Sequence, residues 1–397
     1  MKIIMIHNTY QYQGGEDAVF KAESDLLLQE GHSVEQLVFD NKLIRSAVDK
    51  FILAIKGIYN AKSARELEKL IVRFSPDIIH VHNFFPLASP SIFFIAKRYN
   101  IPTVVTLHNF RLVCPSATLY YRGKIYEENI HSLVPWHAIV KGVYRNSKLQ
   151  TAGLALITSF HNVLGTWKNK VDKFIVLTEF AKRKFNDSVL RVDENQFEVK
   201  SNFVEDYGYG DRTREDFFLI VGRLSEEKGI DVALKAFKFV NFRLLIIGDG
   251  PLKNDIINAA KSNPKIEYLG FQKKAAIVGY LKRCRALLFP SVCYEGFSMT
   301  ILEAFSTGTP VIASNLGSMA EIVRDGENGL HFSPGDAENL ATKIALLHDD
   351  LELAKRLSMN ARKTYLGNYT PKLNYRKLID IYSQLIHAKQ ASAQGED

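Results

Sequence analysis

The stretch Phe289–Thr309, FPSVCYEGFSMTILEAFSTGT, decides the fold of this chain. It passes from a short apolar run through a glycine-containing loop into an apolar segment that reaches Gly308, so it predicts a buried strand, a loop and a helix beginning near Ser298. A buried strand followed by a helix is typical of a parallel sheet covered by helices. The free N–H groups of that helix would point back into the loop and favour an anion such as a diphosphate.

The same alternation of strand and helix patterns extends over most of the chain. A helix is predicted at Asp17–Glu30, where Gly31 follows its last turn. A first series of strands is predicted at Lys2–Ile6, Val34–Phe39, Asp77–Val81, Thr103–Leu107 and Phe174–Leu177, and a second at Phe217–Val221, Leu244–Ile247, Ile266–Leu269, Ala286–Phe289 and Val311–Ala313. We therefore expect an α/β protein with two doubly wound, Rossmann-like domains that face each other across a cleft.

The domain boundary is predicted in the polar segment Val204–Asp216, VEDYGYGDRTRED, which has the composition of a linker. A chain of 397 residues also exceeds the size at which one hydrophobic core usually stops growing. We expect an amino-terminal domain over residues 1–209, a carboxy-terminal domain over 210–370, and a last helix from Pro371 that packs back towards the first domain. The tail from Gln390 is predicted to be polar and without regular structure.

The charge balance favours anionic partners, because 51 Lys and Arg against 43 Asp and Glu give a net charge of +8. The charges are dispersed and no strand carries interleaved aromatic and basic residues, which argues against nucleic acid. Three cysteines without a C-x-x-C pair indicate neither a disulfide framework nor a zinc site, and fit a reducing cytoplasm. Residues Met1–Asn8 form a strand pattern and not a signal peptide.

One segment is basic and amphipathic. In Trp136–Lys173, apolar residues alternate with Lys141, Arg145, Lys148, Lys168, Lys170 and Lys173. This pattern predicts peripheral contact with an anionic membrane at the cytoplasmic face, and the alternative is that the apolar residues are domain core. The apolar stretch Thr151–Trp167 within it is too short to span a bilayer.

Two carboxylates flank the predicted anion site. Glu295 lies in the loop and Glu303 on the helix, eight positions later. Carboxylates next to a phosphate are favourable when they accept hydrogen bonds from hydroxyls, as ribose and hexose hydroxyls would donate. The alternative is that Glu295 is a solvated loop residue and Glu303 a helix-face residue.

A second group of charges follows the strand Phe217–Val221, in the run VGRLSEEKG. Arg223 and Lys228 would project from the carboxyl edge of the sheet, where open α/β proteins bind ligands, and could neutralise a diphosphate leaving group. The alternative is a solvated turn in which they pair with Glu226 and Glu227.

Two features of the first domain give weaker evidence for a ligand site. Gly14 and Gly15, in YQYQGGED (Tyr10–Asp17), would let the backbone approach a ligand or would simply form a turn, and the dinucleotide pattern G-x-G-x-x-G is absent. His108, in TLHNFRLVC, ends a strand at the same edge and would contact a ligand or cap the strand. His80 and His82 share a strand without an apparent third ligand, so no metal is predicted.

These segments, in this order, resemble those of glycosyltransferase family 4, retaining enzymes of the GT-B fold that use nucleotide sugars. EGFSMTILEA is similar to the family's Glu-x7-Glu motif, VGRLSEEKG to its phosphate-binding run, and Asn315–Asp336 (NLGSMAEIVRDGENGLHFSPGD) to its downstream stretch. HNTYQYQGGED resembles the Gly-rich donor loop. The family often has His-Asp at His108, but Asn109 follows here, so no role for that Asp can be transferred. DIIHVHNFFP and TLHNFRLVCP resemble bacterial surface-polysaccharide members, including those of lipopolysaccharide synthesis.

The resemblance implies a site and a reaction. Glu303 would bind the ribose, Glu295 the donor sugar, and Arg223 and Lys228 the diphosphate, while His108 would contact the transferred sugar. Further donor contacts are implied for Gly14, Gly15, Gly296, Phe297, Ser298, Met299, Thr300 and Ile301. The implied reaction is front-face substitution with retention, without metal or cofactor, from a UDP-sugar or, second, GDP-mannose. The acceptor would be a glycan or a polyprenyl-linked glycan.

Other functions fit the same architecture. A sugar-nucleotide epimerase or a phosphorylase also uses Rossmann-like domains, and product analysis with the donor alone or with an acceptor would separate them. A glycan-binding protein without activity is a further alternative.

Overall fold

The computed structural model describes two compact units. The described residues are 1–9, 14–40, 57–210 and 214–394, with the side chains of 392–394 left aside. The first unit comprises Met1–Leu119, Tyr126–Ser201 and the chain from Asn374 on, and the second comprises Tyr120–Ile125 and Asn202–Leu373. The chain thus changes unit at 201/202 and 373/374, where the sequence analysis placed divisions at 209/210 and 370/371.

The first unit is a six-stranded parallel sheet with helices, in the strand order β2-β1-β3-β4-β7-β8. Its strands are β1 (Lys2–Thr9), β2 (Ser33–Asp40), β3 (Ile78–Val81), β4 (Thr103–Leu107), β7 (Lys173–Val176) and β8 (Phe197–Val199). Its helices are α1 (Gly15–Gln29), α2 (Ala61–Phe74), α3 (Ser91–Arg98), α4 (Trp136–Lys141), α5 (Lys148–Val163), α6 (Thr166–Lys170) and α7 (Glu179–Asn186), with a 3₁₀ turn at Glu194–Gln196.

The second unit repeats this plan, with a parallel sheet in the order β11-β10-β9-β12-β13-β14. Its strands are β9 (Phe217–Val221), β10 (Arg243–Ile247), β11 (Ile266–Gly270), β12 (Ala286–Phe289), β13 (Val311–Ser314) and β14 (Gly329–Phe332), and the hairpin β5 (Tyr120–Tyr121) and β6 (Lys124–Ile125) belongs to the same unit. Its helices are α8 (Ile230–Ala236), α9 (Lys253–Ser262), α10 (Lys274–Arg283), α11 (Met299–Ser306), α12 (Gly317–Ile322), α13 (Ala337–Asp349) and α14 (Leu351–Asn368), with a 3₁₀ turn at Glu226–Lys228.

The last helix, α15 (Pro371–Gln394), belongs to the first unit from Asn374 on. Leu378, Ile381 and Tyr382 are buried in the same apolar cluster as Ile3 and residues of β3, β4 and β7. The core of the first unit is therefore built from both ends of the chain.

Each sheet has one point at which the strand order reverses direction. In the first unit β1 lies between β2 and β3, and in the second unit β9 lies between β10 and β12. Loops that leave two neighbouring strands on opposite sides of the sheet open a crevice at their carboxyl ends, and open α/β proteins bind ligands there. The segments after β1 and β3, and after β9 and β12, are therefore the places to examine for a site.

The strands of the second unit are apolar on both faces because helices cover both. In β9, Phe218 and Ile220 contribute to one buried cluster, while Phe217 and Leu219 contribute to the other. This explains why the strand reads FFLIV instead of alternating apolar and polar residues.

The predicted α/β class with two doubly wound parallel sheets is confirmed, and every predicted strand is present with its bounds shifted by at most a few residues. The hairpin β5–β6 and the outermost strands β8 and β14 were not predicted from the sequence. The predicted structureless tail is wrong for residues 390–394, because α15 continues to Gln394. Alanine and glutamine favour helix, which explains the continuation. Among the described helices, none is long and apolar enough to cross a membrane.

Candidate functional site

In the second unit, Lys228 and Glu295 meet where the strand order reverses. Lys228 ends the 3₁₀ turn after β9, Glu295 lies in the loop after β12, and Lys228 Nζ is 2.7 Å from Glu295 Oε1. Gly229 makes this approach possible. It has φ +64°, and a Cβ there would stand 2.0 Å from the carbonyl oxygen of Pro290. Only glycine lets the turn pack this closely against the end of β12.

Glu295 is held by more than the lysine. Its Oε1 also accepts a hydrogen bond from Ser291 Oγ at 2.6 Å, and Ser318 Oγ donates to its backbone carbonyl at 2.6 Å. Burial alone would lower the pKa of Lys228, but the ion pair and hydrogen bond with Glu295 outweigh it and raise that pKa. The lysine is therefore a cation, and the carboxylate is fixed by two donors on one oxygen.

Glu303 lies on α11 and is only 5% exposed. Its Oε1 pairs with Nζ of Lys274, the first residue of α10, whose side chain is 53% exposed. Burial raises the pKa of Glu303, and the charge and hydrogen bond of Lys274 oppose this only in part. The site thus carries two carboxylates, each facing a lysine.

The amino terminus of α11 has the geometry of an anion site. Ser298 is its N-cap, and the side chain accepts a hydrogen bond from the Ile301 N–H at 3.3 Å. The N–H groups of Met299 and Thr300 have no acceptor inside the helix. Ile301 differs from the other implied donor contacts, because its N–H serves the cap and its side chain is fully buried in the core.

The remaining predicted donor contacts of the second unit lie in the same loops. Gly296 and Phe297 are partly buried between Glu295 and the helix cap, and Phe297 packs edge-on against Tyr369 at 6.2 Å between ring centroids. Arg223 is exposed in the turn after β9. It lies at the carboxyl edge of the sheet, as predicted. Unlike Lys228, it makes no ion pair with Glu295.

In the first unit, His108 follows β4 and lies beside His82, which follows β3. His82 Nδ1 is 3.1 Å from His108 Nε2, and the two rings stack with centroids 5.3 Å apart. Both side chains line a pocket, together with Asn83, Asn109 and Arg111 among others. Burial, followed by the charge of His82, lowers the pKa of His108 well below its ordinary value.

A fully buried carboxylate completes this group. Glu23, on α1, pairs with Lys200 Nζ through Oε1, while its Oε2 lies 3.1 Å from His82 Nε2. Burial opposes ionisation of Glu23, but Lys200 and the hydrogen bond from His82 hold its pKa well below the ordinary range. His80 donates or accepts at both nitrogens, with Tyr382 Oη at 2.6 Å and Thr106 Oγ1 at 2.7 Å.

Glu23, His80 and His82 also offer three ligand atoms within 4.8 Å of one another. Glu23 would be the third ligand that the sequence pattern around His80 and His82 does not indicate. A cation there would compete with the ammonium of Lys200 and would displace one of the two hydrogen bonds of His80. This chemistry favours a hydrogen-bonded network over a metal centre.

The Gly14–Gly15 pair begins α1 at the same edge. Gly14 is the N-cap, and its N–H donates to Asp17 Oδ2 at 2.7 Å, while Asp17 Oδ1 lies 2.8 Å from Nε2 of His7. The pair is exposed, and a Cβ on Gly15 would contact nothing within 4 Å. Residues 10–13 of the predicted loop lie outside the described residues.

Ser291, Lys274 and Glu23 were not found by the sequence analysis. The first two carry no spacing signal, because Lys274 reaches Glu303 from a helix 29 positions earlier. For Glu23 there was a signal. It lies four positions after Val19 and three before Leu26, within the apolar face of α1, and a charged residue there must be paired when buried.

Comparison with known proteins gives matches on both units. A family model described as Glycosyltransferase Family 4 matches residues 24–206, and one described as Glycosyl transferases group 1 matches residues 208–364. A relative named as an uncharacterized glycosyltransferase of Methanocaldococcus jannaschii is 26% identical over 391 residues, which are 96% of this chain and 96% of that protein.

Solved structures share the fold at lower identity. Sucrose-phosphate synthase from Thermosynechococcus elongatus superposes with a TM-score of 0.70 and 18% identity, covering 98% of this chain and 99% of that one. HepE of Anabaena in complex with UDP has a TM-score of 0.69 and 15% identity, covering 97% and 100%. A further HepE structure, with UDP-glucose, has a TM-score of 0.66. These neighbours have the GT-B fold, and the likeness extends over the whole chain.

Proposed function

This chain belongs to the glycosyltransferases of family 4, with the GT-B fold, and from that premise we propose that it transfers a sugar from a UDP-sugar to a glycan or polyprenyl-linked acceptor in bacterial polysaccharide synthesis. The observation that carries the proposal is the pairing of two carboxylates with two lysines around the amino terminus of α11. Such a group offers cations and N–H donors for a diphosphate and carboxylates for sugar hydroxyls.

The proposed donor site assigns a role to each group. The diphosphate would bind Lys228, Arg223 and the free N–H groups of Met299 and Thr300. The ribose hydroxyls would donate to Glu303, and the donor sugar would donate to Glu295, which Ser291 and Lys228 hold in place. Preorganised cations at the leaving oxygen stabilise charge that develops in the transition state.

The proposed reaction retains the anomeric configuration. The bond between the anomeric carbon and the diphosphate oxygen breaks, and the acceptor oxygen forms its bond on the same face. The acceptor proton passes to the departing diphosphate, so no protein nucleophile is needed. We further propose that no divalent metal takes part, because Lys228 and Arg223 supply the positive charge.

A nucleotide-binding screen tests the donor. UDP, GDP and ADP would each be titrated against the protein and its melting temperature followed, since a ligand at 100 times its dissociation constant stabilises by about 2.7 kcal/mol. We expect a shift with UDP, and a smaller one with the Glu303→Ala variant. The HepE complexes with UDP and UDP-glucose support the choice of base. A shift with GDP alone would identify the donor as a GDP-sugar.

Product analysis separates transfer from the alternatives. With a UDP-sugar alone, an epimerase would release an isomeric UDP-sugar, whereas a transferase would give at most slow hydrolysis. With an acceptor, a transferase would release UDP and form a glycoside of the same anomeric configuration as the donor. No product under any condition, with glycan binding retained, would indicate a binding protein.

We also propose peripheral contact with an anionic membrane through α5. One stripe of this helix is apolar and exposed, with Leu149 77%, Leu156 54%, Phe160 44% and Val163 71% exposed. Lys148 lies at the start of the same helix and is exposed as well. An apolar stripe beside lysines is the pattern of an interfacial helix, and contact there would bring the enzyme to a lipid-linked acceptor.

A further inference from the structure

We propose that Glu23 and His82 are positioning residues that hold His108 as a neutral ring with its proton on Nε2 and a free lone pair on Nδ1. This tautomer determines which ligand group His108 can bind. His108 accepts a hydrogen bond from a sugar hydroxyl and does not donate one to a phosphate. This inference rests on the proposed function for the identity of the ligand, but the state of the ring can be measured without it.

The carboxylate of Glu23 sets the protonation of the two histidines. Glu23 is 1% exposed, and its Oε1 pairs with the buried ammonium of Lys200, so it is ionised and can only accept hydrogen bonds. Its Oε2 lies 3.1 Å from His82 Nε2, and neither of these buried atoms has a hydrogen bond of good geometry to a described residue, so this close contact is the nearest polar neighbour of each. An ionised carboxylate oxygen would repel an imidazole lone pair at this distance, so His82 carries its proton on Nε2.

His82 in turn fixes the tautomer of His108. A neutral imidazole carries one proton, so His82 with its proton on Nε2 has a lone pair on Nδ1. That nitrogen is 3.1 Å from His108 Nε2, and two lone pairs cannot face each other at this distance. His108 Nε2 must donate, and its own Nδ1 is left as an acceptor.

The surroundings keep both rings neutral. A second proton on either would place a cation near Lys200 in a buried region, and burial lowers the pKa of both His82 and His108. Neither of the other two buried histidines nearby hydrogen-bonds to His108, since His80 bonds Tyr382 and Thr106, and Nε2 of His7 bonds Asp17. His108 lines the pocket after β3 and β4, where Nδ1 makes no hydrogen bond to a described residue.

The experiment is a measurement of the histidine tautomers. The full chain would be labelled with ¹⁵N in its imidazoles, and long-range ¹H–¹⁵N correlation spectra would be recorded at neutral pH, with His108→Gln to assign the His108 signals. We expect a protonated Nε2 and an unprotonated Nδ1. His82→Gln should keep this state, because its amide can donate to Glu23 and accept from His108. His82→Phe should lose it and give mixed tautomers.

A control variant and a kinetic measurement complete the test. His80→Phe removes a neighbouring buried histidine that does not touch His108, so the His108 tautomer should stay as in the wild type. With donor and acceptor, His82→Phe should lower kcat by on the order of tenfold or more while UDP affinity is kept, and His82→Gln should restore most of it. A protonated Nδ1 in the wild type, or an unchanged His108 spectrum in His82→Phe, would overturn the proposal. The predicted tautomer in a protein without transferase activity would instead count against the proposed function alone.

Discussion

At the scale of residues, the two lysine–glutamate pairs of the second unit differ in access to water. Lys274 is about half exposed, whereas Lys228 is 27% exposed and shares Glu295 with Ser291. An exposed lysine loses little when it leaves its partner, because water solvates it again. Glu303 can therefore exchange Lys274 for a ligand hydroxyl, while Glu295 stays fixed beside a cation.

Substitution of the two carboxylates should have different effects on donor binding and turnover. We expect Glu303→Ala to weaken donor binding with a smaller effect on turnover, and Glu295→Ala to slow turnover of bound donor, since only Glu295 is proposed to contact the reacting sugar. Donor affinity by titration and single-turnover rates at saturating donor measure the two effects. Equal losses of affinity with unchanged turnover would contradict this division.

The ionised side chain of Glu303 should also destabilise the folded protein. A carboxyl group whose pKa is higher in the folded state binds its proton more tightly there, so ionisation at neutral pH destabilises the fold. We expect Glu303→Gln to melt at a higher temperature than the wild type near pH 7. The difference should shrink as the pH falls through the raised pKa of the folded state towards the ordinary carboxyl value of 4.5, and it should be absent below that value, where the carboxyl group is protonated in the folded and the unfolded protein. Melting curves at several pH values test this, and a constant difference would refute it.

The cations of the proposed donor site should replace a metal. We expect activity to persist in excess chelator, and Lys228→Ala and Arg223→Ala each to raise the barrier by about 2–4 kcal/mol, by analogy with the loss of a preorganised donor. Initial rates with and without chelator measure the first effect, and kcat of the variants the second. If chelation abolished activity and magnesium or manganese restored it, the proposed role of the two cations would be wrong.

At the scale of elements, local pattern predicts the strands well and the side-chain pairs poorly. Runs such as FFLIV are buried on both faces, so their apolar content alone identifies them. The edge strands β8 and β14 are short and include Glu198 and His331, so they lack that signal. Ser291 and Lys274 reach the carboxylates only through tertiary structure, which no local spacing encodes.

Gly229 sets the spacing between two elements, the turn after β9 and the end of β12. A Cβ at this position would overlap the Pro290 carbonyl and would require φ +64° of a non-glycine residue. We expect Gly229→Ala to lower the free energy of unfolding by roughly 1–3 kcal/mol and to weaken donor binding by moving Lys228. Denaturant unfolding and nucleotide titration measure both.

Gly279 provides the matched control for that substitution. It lies inside α10, and a Cβ there meets nothing within 4 Å. Gly279→Ala should therefore stabilise by about 0.4–1 kcal/mol, because alanine has less conformational entropy to lose in a helix. If both variants behaved alike, the close approach at Pro290 would not be the cause.

At the scale of the whole molecule, the exposed apolar stripe of α5 predicts binding to anionic vesicles at low salt. Replacing Leu156 and Phe160 by serine should lower the bound fraction by on the order of tenfold, since each side chain would bury apolar area in the interface. Flotation with vesicles of anionic and of neutral lipid measures this. Val72→Ser, at a residue 66% exposed on α2, is the control and should bind like the wild type. Absence of flotation at low salt would contradict the proposed membrane contact.

The segment 202–373 leaves the first unit and returns to it at one place. Asn374 Nδ2 donates to the Ser201 carbonyl at 2.7 Å, so the residues on either side of the segment are hydrogen-bonded to each other. Almost the entire second unit is therefore one insertion into the sequence of the first unit, and the residues that flank the insertion are neighbours in space. Two recombination points would exchange that insertion between relatives without cutting the sheet of the first unit. Hybrids joined at Ser201 and Asn374 would combine the second unit of one family member with the first unit of another.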